Sequence, residues 1–246
     1  MISPDSEEYR LLYTDELGEE VGLDEVQLLD PPPEDRVPLL SKMLESANIY
    51  LSYQAALILT AWGKNIGIAR LEQLIDGEKI SEFGFSPNRL SSEDNVYDEL
   101  SYAVHLYGLS GGERSRMLRI FDKLLKIYPK YFFESKLKHS LLKNPFKELV
   151  TSVEEALQKT LINGRVYQAS QLLPVLAKLD QGKGWSAIRK FDRHEKMVPD
   201  PTVNVAEALR YCSPTQEVIY LLTALKANEN KVVSSEAEIS LQHMTI

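Results

Sequence analysis

Apolar residues recur at intervals of three and four along nearly the whole chain, and almost nowhere at an interval of two. The first spacing puts them on one face of an α-helix, whereas a half-buried strand needs strict alternation. Leu39, Leu40, Met43 and Leu44 make one short apolar face; Tyr50, Tyr53, Ala56, Leu57, Thr60 and Ala61 make the next, with Ser46, Ala47 and Asn48 as the joint between them. Gly63 suits a helix C-terminus, and Ile68, Leu71, Leu74 and Ile75 open a third stripe. Further helices are predicted over 96–107, 113–128, 147–161, 165–179, 203–211 and 214–226. The one hint of alternation, 9–13, is too short to build a sheet. Residues 77–95, with Gly84, Pro87 and several serines, read as the main loop of the body, long enough to be either functional or the most mobile part.

Three successive prolines, Pro31 to Pro33, interrupt this pattern, because proline fixes φ and keeps the residue before it out of helical geometry. They divide the expected organisation into an acidic N-terminal arm (1–33), a helical body (34–228) and a C-terminal tail (229–246). The arm is where charge concentrates. Residues 1–30 hold ten acidic side chains against Arg10 alone, a net of −9, so a chain whose total is −8 is nearly neutral elsewhere. Residues 112–210 are locally basic, with 19 Lys and Arg against 11 Asp and Glu. Acidic arm and basic body either attract one another within the monomer or serve a partner.

With 246 residues, 43% of them hydrophobic, the chain is long enough for a continuous core. Cys212 is the only cysteine, which rules out an intrachain disulfide and any all-thiolate metal site. The first residues lack the basic start and apolar run of a secretory signal, and no apolar stretch approaches the ~20 residues of a membrane span. A cytoplasmic location is the expectation.

A weak internal repeat sits under the helical pattern. Trp62 and Gly63 are matched 45 residues later by Tyr107 and Gly108, and Gly67 by Gly112. A period of ~40–47 residues per helix pair is that of HEAT and armadillo units. The stretch 48–76, with Ala55 and Ala56 in an apolar helix, an aromatic-glycine ending and then Leu71, Leu74, Ile75 and Asp76, resembles a HEAT-like repeat. No arginine precedes the alanine pair where that family commonly has one, and the second unit has Leu100 and Ser101 there. The resemblance implies an all-α single domain of stacked antiparallel helical hairpins, a HEAT-like α-solenoid. It also implies that the second helix of each pair lines a concave surface, carrying Tyr50, Tyr53, Tyr97, Tyr102 and Tyr107.

Motifs for catalysis are scarce. Leu109-Ser110-Gly111-Gly112-Glu113 looks like the signature sequence of ABC-type ATPases, but the chain has no phosphate loop to accompany it. Ser110 is expected to cap a helix instead, with Glu113 closing a capping box. His105, His139, His194 and His243 are scattered, and His194-Glu195 has no second histidine at ligand spacing. No Gly-x-Ser-x-Gly elbow occurs. Arg116, Arg119, Lys123, Lys126 and Lys130 fall along one side of a helix and could follow a phosphate backbone, although a sequence pI near 5.2 argues against nucleic acid as the partner.

The expectation is therefore a non-catalytic protein, without cofactor or metal, that binds a basic protein; its most concrete form is an immunity or antitoxin protein occluding a toxin domain. Glu19, Glu20, Asp24 and Glu25 would capture the partner, and Tyr50, Tyr53 and Tyr97 would contact it. The alternatives are a nucleic-acid-binding helical-repeat protein on a glycosylase-like scaffold and a cytoplasmic adaptor or assembly factor.

Overall fold

The computed structural model describes residues 2–86, 93–191 and 198–244. Part of the loop expected at 77–95 (87–92) and His194 lie outside the described residues. Among those described, regular structure is helical, apart from an isolated antiparallel bridge between Thr14 and Glu20 and a bridge position at Asp94. None of these helices is long and apolar enough to cross a membrane. The single body expected from the sequence divides by its contacts into two compact units, Met1–Leu124 and Leu125–Ile246.

Unit 1 contains α1 (Glu7–Tyr13), α2 (Leu23–Gln27), α3 (Val37–Met43), α4 (Ile49–Ala61), α5 (Asn65–Gly77) and α6 (Val96–Leu109), with a 3₁₀ turn at Ile80–Phe83. The boundary falls within α7 (Arg114–Ile127). Helix α4 is the hub of unit 1, packed by α1, α2, α3, α5 and α6. Every residue of α4 from Ser52 to Ala61 is buried, so the helix is enclosed around its whole circumference rather than along one stripe. The acidic segment is folded onto this hub. Ser6 caps α1 by accepting from Tyr9 N, Glu7 and Glu8 occupy the positive first turn, and Leu11 and Leu12 face inward. Asp15 Oδ1 accepts from Leu17 N and Glu19 N, both at 2.9 Å, and Gly18 takes φ 81° to reverse the chain toward α2. Val26 of α2 is buried, and its carbonyl accepts Trp62 Nε1 at 3.0 Å. Arg36 adds bonds to the carbonyls of Thr14 (2.7 Å) and Asp15 (2.5 Å).

Unit 2 contains α8 (Lys136–Lys143), α9 (Val150–Ile162), α10 (Val166–Ser170), α11 (Leu172–Leu179), α12 (Gln181–Lys190), α13 (Thr202–Leu209), α14 (Gln216–Lys226) and α15 (Lys231–Met244). Its hub is α11, buried except at Lys178 and packed by α8, α9, α10, α12 and α13. The continuous helix predicted over 165–179 is two helices, because Pro174 has no N–H for the Ser170 carbonyl and the path breaks at Gln171. Residues 231–244, within the expected tail, form α15, which packs on α13 and α14 through buried Val233 and Ala237.

The signature-like motif takes a role different from the expected capping box. Ser110 is the C-cap of α6, and its hydroxyl donates to the Ala61 carbonyl at 2.7 Å. Glu113 pairs with Arg116 at 3.4 Å. Gly63, at φ 73°, lies so close to Ser110 that a β-carbon there would come 2.9 Å from the Ser110 carbonyl oxygen. The motif is thus a tie between the C-terminal ends of α4 and α6.

Candidate functional site

A cleft of about 350 Å³ opens in unit 1 where α2, α4 and the segment after the 3₁₀ turn meet. Helix α4 contributes Tyr50, Tyr53, Gln54 and Leu57, the i, i+3, i+4, i+7 set that one helix face presents. The start of α2 contributes Gly22, Leu23, Asp24 and Glu25; Tyr13 comes from α1, Glu99 from α6, and Phe85 and Ser86 from the loop. Asp94 holds that loop in place. Its carboxylate accepts from Phe85 N (2.7 Å), Ser86 N (3.2 Å) and Val96 N (3.1 Å). Burial raises the Asp94 carboxyl above its ordinary value even against these backbone donors.

The walls are aromatic. The Tyr50 and Phe85 ring centroids are 4.8 Å apart, Tyr53 and Phe85 5.8 Å, and Phe85 stacks on exposed Phe83 at 5.2 Å. Burial pushes the Tyr50 phenol up to about 12, with a hydrogen bond to Tyr13 adding to the effect. Burial lifts the Tyr53 phenol well above its ordinary value, and the charges of Glu99 and Asp94 act the same way. Both phenols stay neutral at physiological pH, so the negative charge of the cleft belongs to its carboxylates. On its floor, Gln54 is 2% exposed; its Nε2 donates to the Tyr13 hydroxyl, while its Oε1 is buried with no hydrogen-bond partner among the described residues.

Four of the seven residues singled out in the sequence, Asp24, Glu25, Tyr50 and Tyr53, are brought together here. Tyr50 is half-buried, whereas Tyr53 is 3% exposed and forms wall rather than surface, its hydroxyl 3.5 Å from the Val96 carbonyl. Tyr97 is fully buried and belongs to the core, so its ring is not offered to a partner. Glu19 is exposed on the α1–α2 turn, and Glu20 accepts the Tyr9 hydroxyl outside the cleft. Sequence reasoning missed Tyr13, Gln54, Phe85 and Glu99. Gln54 did leave a signal, as an amide inside a run, 53–61, that is otherwise apolar apart from Thr60.

Apart from Asp24, none of the ten acidic residues of 1–30 forms an ion pair with a described residue. The segment is held by apolar and hydrogen-bond contacts, and the other nine carboxylates carry their charge without an ion pair at short range. The basic stripe of α7 is different. Arg119 pairs with Glu72 at 2.8 Å, and Lys123 with Glu72 at 2.9 Å and Asp76 at 2.7 Å, so α5 neutralises its centre.

Among the described residues no group of three or more His, Cys, Asp or Glu is placed to hold a metal ion. Cys212 is buried, and burial pushes its thiol up to about 11, away from the reactive thiolate. Compared with known proteins, the chain matches no family model, no curated protein and no solved structure.

Proposed function

We propose that this chain is a non-catalytic binding protein whose acidic N-terminal face captures a basic protein, an immunity or antitoxin role being its most concrete form. The carrying observation is the convergence of arm and hub: Asp24 and Glu25, from a segment whose acids are otherwise free of ion pairs, flank the aromatic cleft that α4 builds. Uncompensated surface charge accelerates encounter with a cationic partner, and a rigid aromatic wall supplies contact area with little loss of side-chain freedom. We read the helix pairs as HEAT-like units, on the matched Gly67 and Gly112 and the tie between the ends of α4 and α6; such scaffolds serve many unrelated partners, and the site rather than the scaffold carries the functional reading. The nucleic-acid alternative loses its main support, because Arg119 and Lys123 are engaged by Glu72 and Asp76.

The test uses charges on the acidic face outside the cleft. With the partner captured from the native cell and identified, Glu16→Lys with Glu19→Lys should slow association about tenfold at low ionic strength and hardly at all at high salt, leaving dissociation unchanged. Both side chains are exposed and free of ion pairs, so the fold should tolerate the reversal. A partner without basic character, or association indifferent to both substitutions and to salt, would overturn the reading.

A further inference from the structure

The contents of the unit 1 cleft specify more than a preference for positive charge. We propose that it receives one guanidinium group, an arginine side chain of the partner, laid against Phe85 and Tyr50 with its N–H groups directed to the Glu25 and Asp24 carboxylates. This rests on the reading above that the partner is basic, and it names the group that is recognised.

Three observations converge. The volume, about 350 Å³, is at the low end of small-ligand sites, enough for a side chain and too little for a folded surface. The rings of Tyr50 and Tyr53 lie 4.8 and 5.8 Å from that of Phe85, and a cation over such faces is drawn to their electron density. Asp24 and Glu25 line the same cleft, and carboxylates beside an aromatic wall are met best by an occupant that brings both positive charge and N–H groups. A quaternary ammonium has aromatic affinity but no N–H to offer. An alkylammonium has N–H groups but is a compact, strongly hydrated charge that does not stack. Guanidinium combines a flat face for Phe85 with donors spread in the same plane for the carboxylates. An anion is excluded by Asp24, Glu25 and Glu99, and an apolar occupant would displace water from these carboxylates without replacing its hydrogen bonds.

The full chain should be titrated with Nα-acetyl-L-arginine N-methylamide, following the Gln54 side-chain amide and the ring signals of Tyr50 and Phe85 by nuclear magnetic resonance. The citrulline counterpart keeps the shape and loses the charge, and the lysine counterpart keeps the charge and loses the plane. Saturable shifts at those three residues are expected, with arginine binding at least tenfold more tightly than citrulline and severalfold more tightly than lysine. Glu25→Gln and Phe85→Leu should each weaken arginine binding at least fivefold while the emission of buried Trp62 shows unit 1 still folded. Equal binding of arginine and citrulline, equal binding of arginine and lysine, or shifts confined to other residues would overturn the site. If association with a basic partner follows Glu16 and Glu19 while the arginine probe leaves the cleft unmoved, the guanidinium site fails and the binding reading stands. If the probe saturates the cleft while no basic partner associates, the guanidinium site stands and the protein-binding reading fails.

Discussion

Gly67, the third residue of α5, has no space for a side chain. A β-carbon there would lie 2.5 Å from Thr60 N and 2.7 Å from the Leu59 carbonyl carbon, both backbone atoms of α4 that cannot turn away. Close approach of the two helices is what seals the hub, and α12 repeats it in unit 2, where Gly184 lies directly against Ala177 of α11. Gly77, at the other end of α5, has nothing within 4 Å of the same position. Gly67→Ala should therefore cost about 1–3 kcal/mol through forced separation of α4 and α5. Gly77→Ala should be neutral or stabilise by up to about 1 kcal/mol, since alanine is the better helix former. Urea unfolding of the two variants against wild type checks both, and equal effects would mean that the close approach is not what holds the pair. The same residue-level logic separates the tyrosines: a truncation at Tyr97, fully buried, would measure folding, whereas Tyr50 is exposed enough to report on contact.

Between α5 and α7 the charges are in register: Glu72 and Asp76 are one turn apart on α5, Arg119 and Lys123 one turn apart on α7, and each acid meets its base. Burial works to raise the Glu72 carboxyl, but Lys123 and Arg119 outweigh it and hold it below its ordinary 4.5. An acid lowered in the folded state contributes stability that is present above its unfolded pKa and disappears as pH falls through the folded one. Glu72→Gln should thus cost about 1 kcal/mol near neutral pH and low salt, with the deficit closing below about pH 4.5 and shrinking in high salt. Chemical denaturation across pH 3–7 reads this directly, and a deficit independent of pH would assign the loss to packing. Helix pairing of this kind was legible in the sequence where stripes were strong, as for α5 to α7 and α9. It was illegible where residues answer to neighbours far along the chain. Gly182 and Gly184 fell outside every helix predicted from the sequence, yet they lie in α12, with Gly184 required by the approach to Ala177. The acids of 1–30 obscured Leu11, Leu12 and Val26, three buried side chains that anchor α1 and α2. For the cleft, the sequence marked carboxylates and tyrosines separately; Phe85 sits in a glycine-serine loop whose position depends on Asp94, a contact that no periodicity announces.

At the scale of the molecule, the two units carry opposite charge. Met1–Leu124 has 23 acidic and 11 basic residues, a net of −12, while Leu125–Ile246 has 13 acidic and 17 basic, a net of +4, together restoring the total of −8. Like charge crowded into a compact unit repels itself, and salt screens that repulsion within roughly 10 Å at 0.1 M. Unit 1 should therefore be the weaker one at low ionic strength and the one that salt strengthens. The two tryptophans of the chain report on the units separately, since Trp62 is buried against α2 and Trp185 lies half-exposed on α12 beneath Arg189. A Trp185→Phe variant leaves a reporter in unit 1, and Trp62→Phe leaves one in unit 2. In urea, which adds no ions, the Trp62 signal should unfold at a lower midpoint than the Trp185 signal at low salt. Raising sodium chloride from about 10 to about 300 mM should move the first midpoint upward by more than the second. Trp62→Phe also removes a buried hydrogen bond to Val26, so it should destabilise unit 1 while the Trp185 midpoint stays where it was. Coincident transitions from both reporters at every salt concentration would show instead that α7, which runs through the boundary, couples the two cores into one cooperative unit.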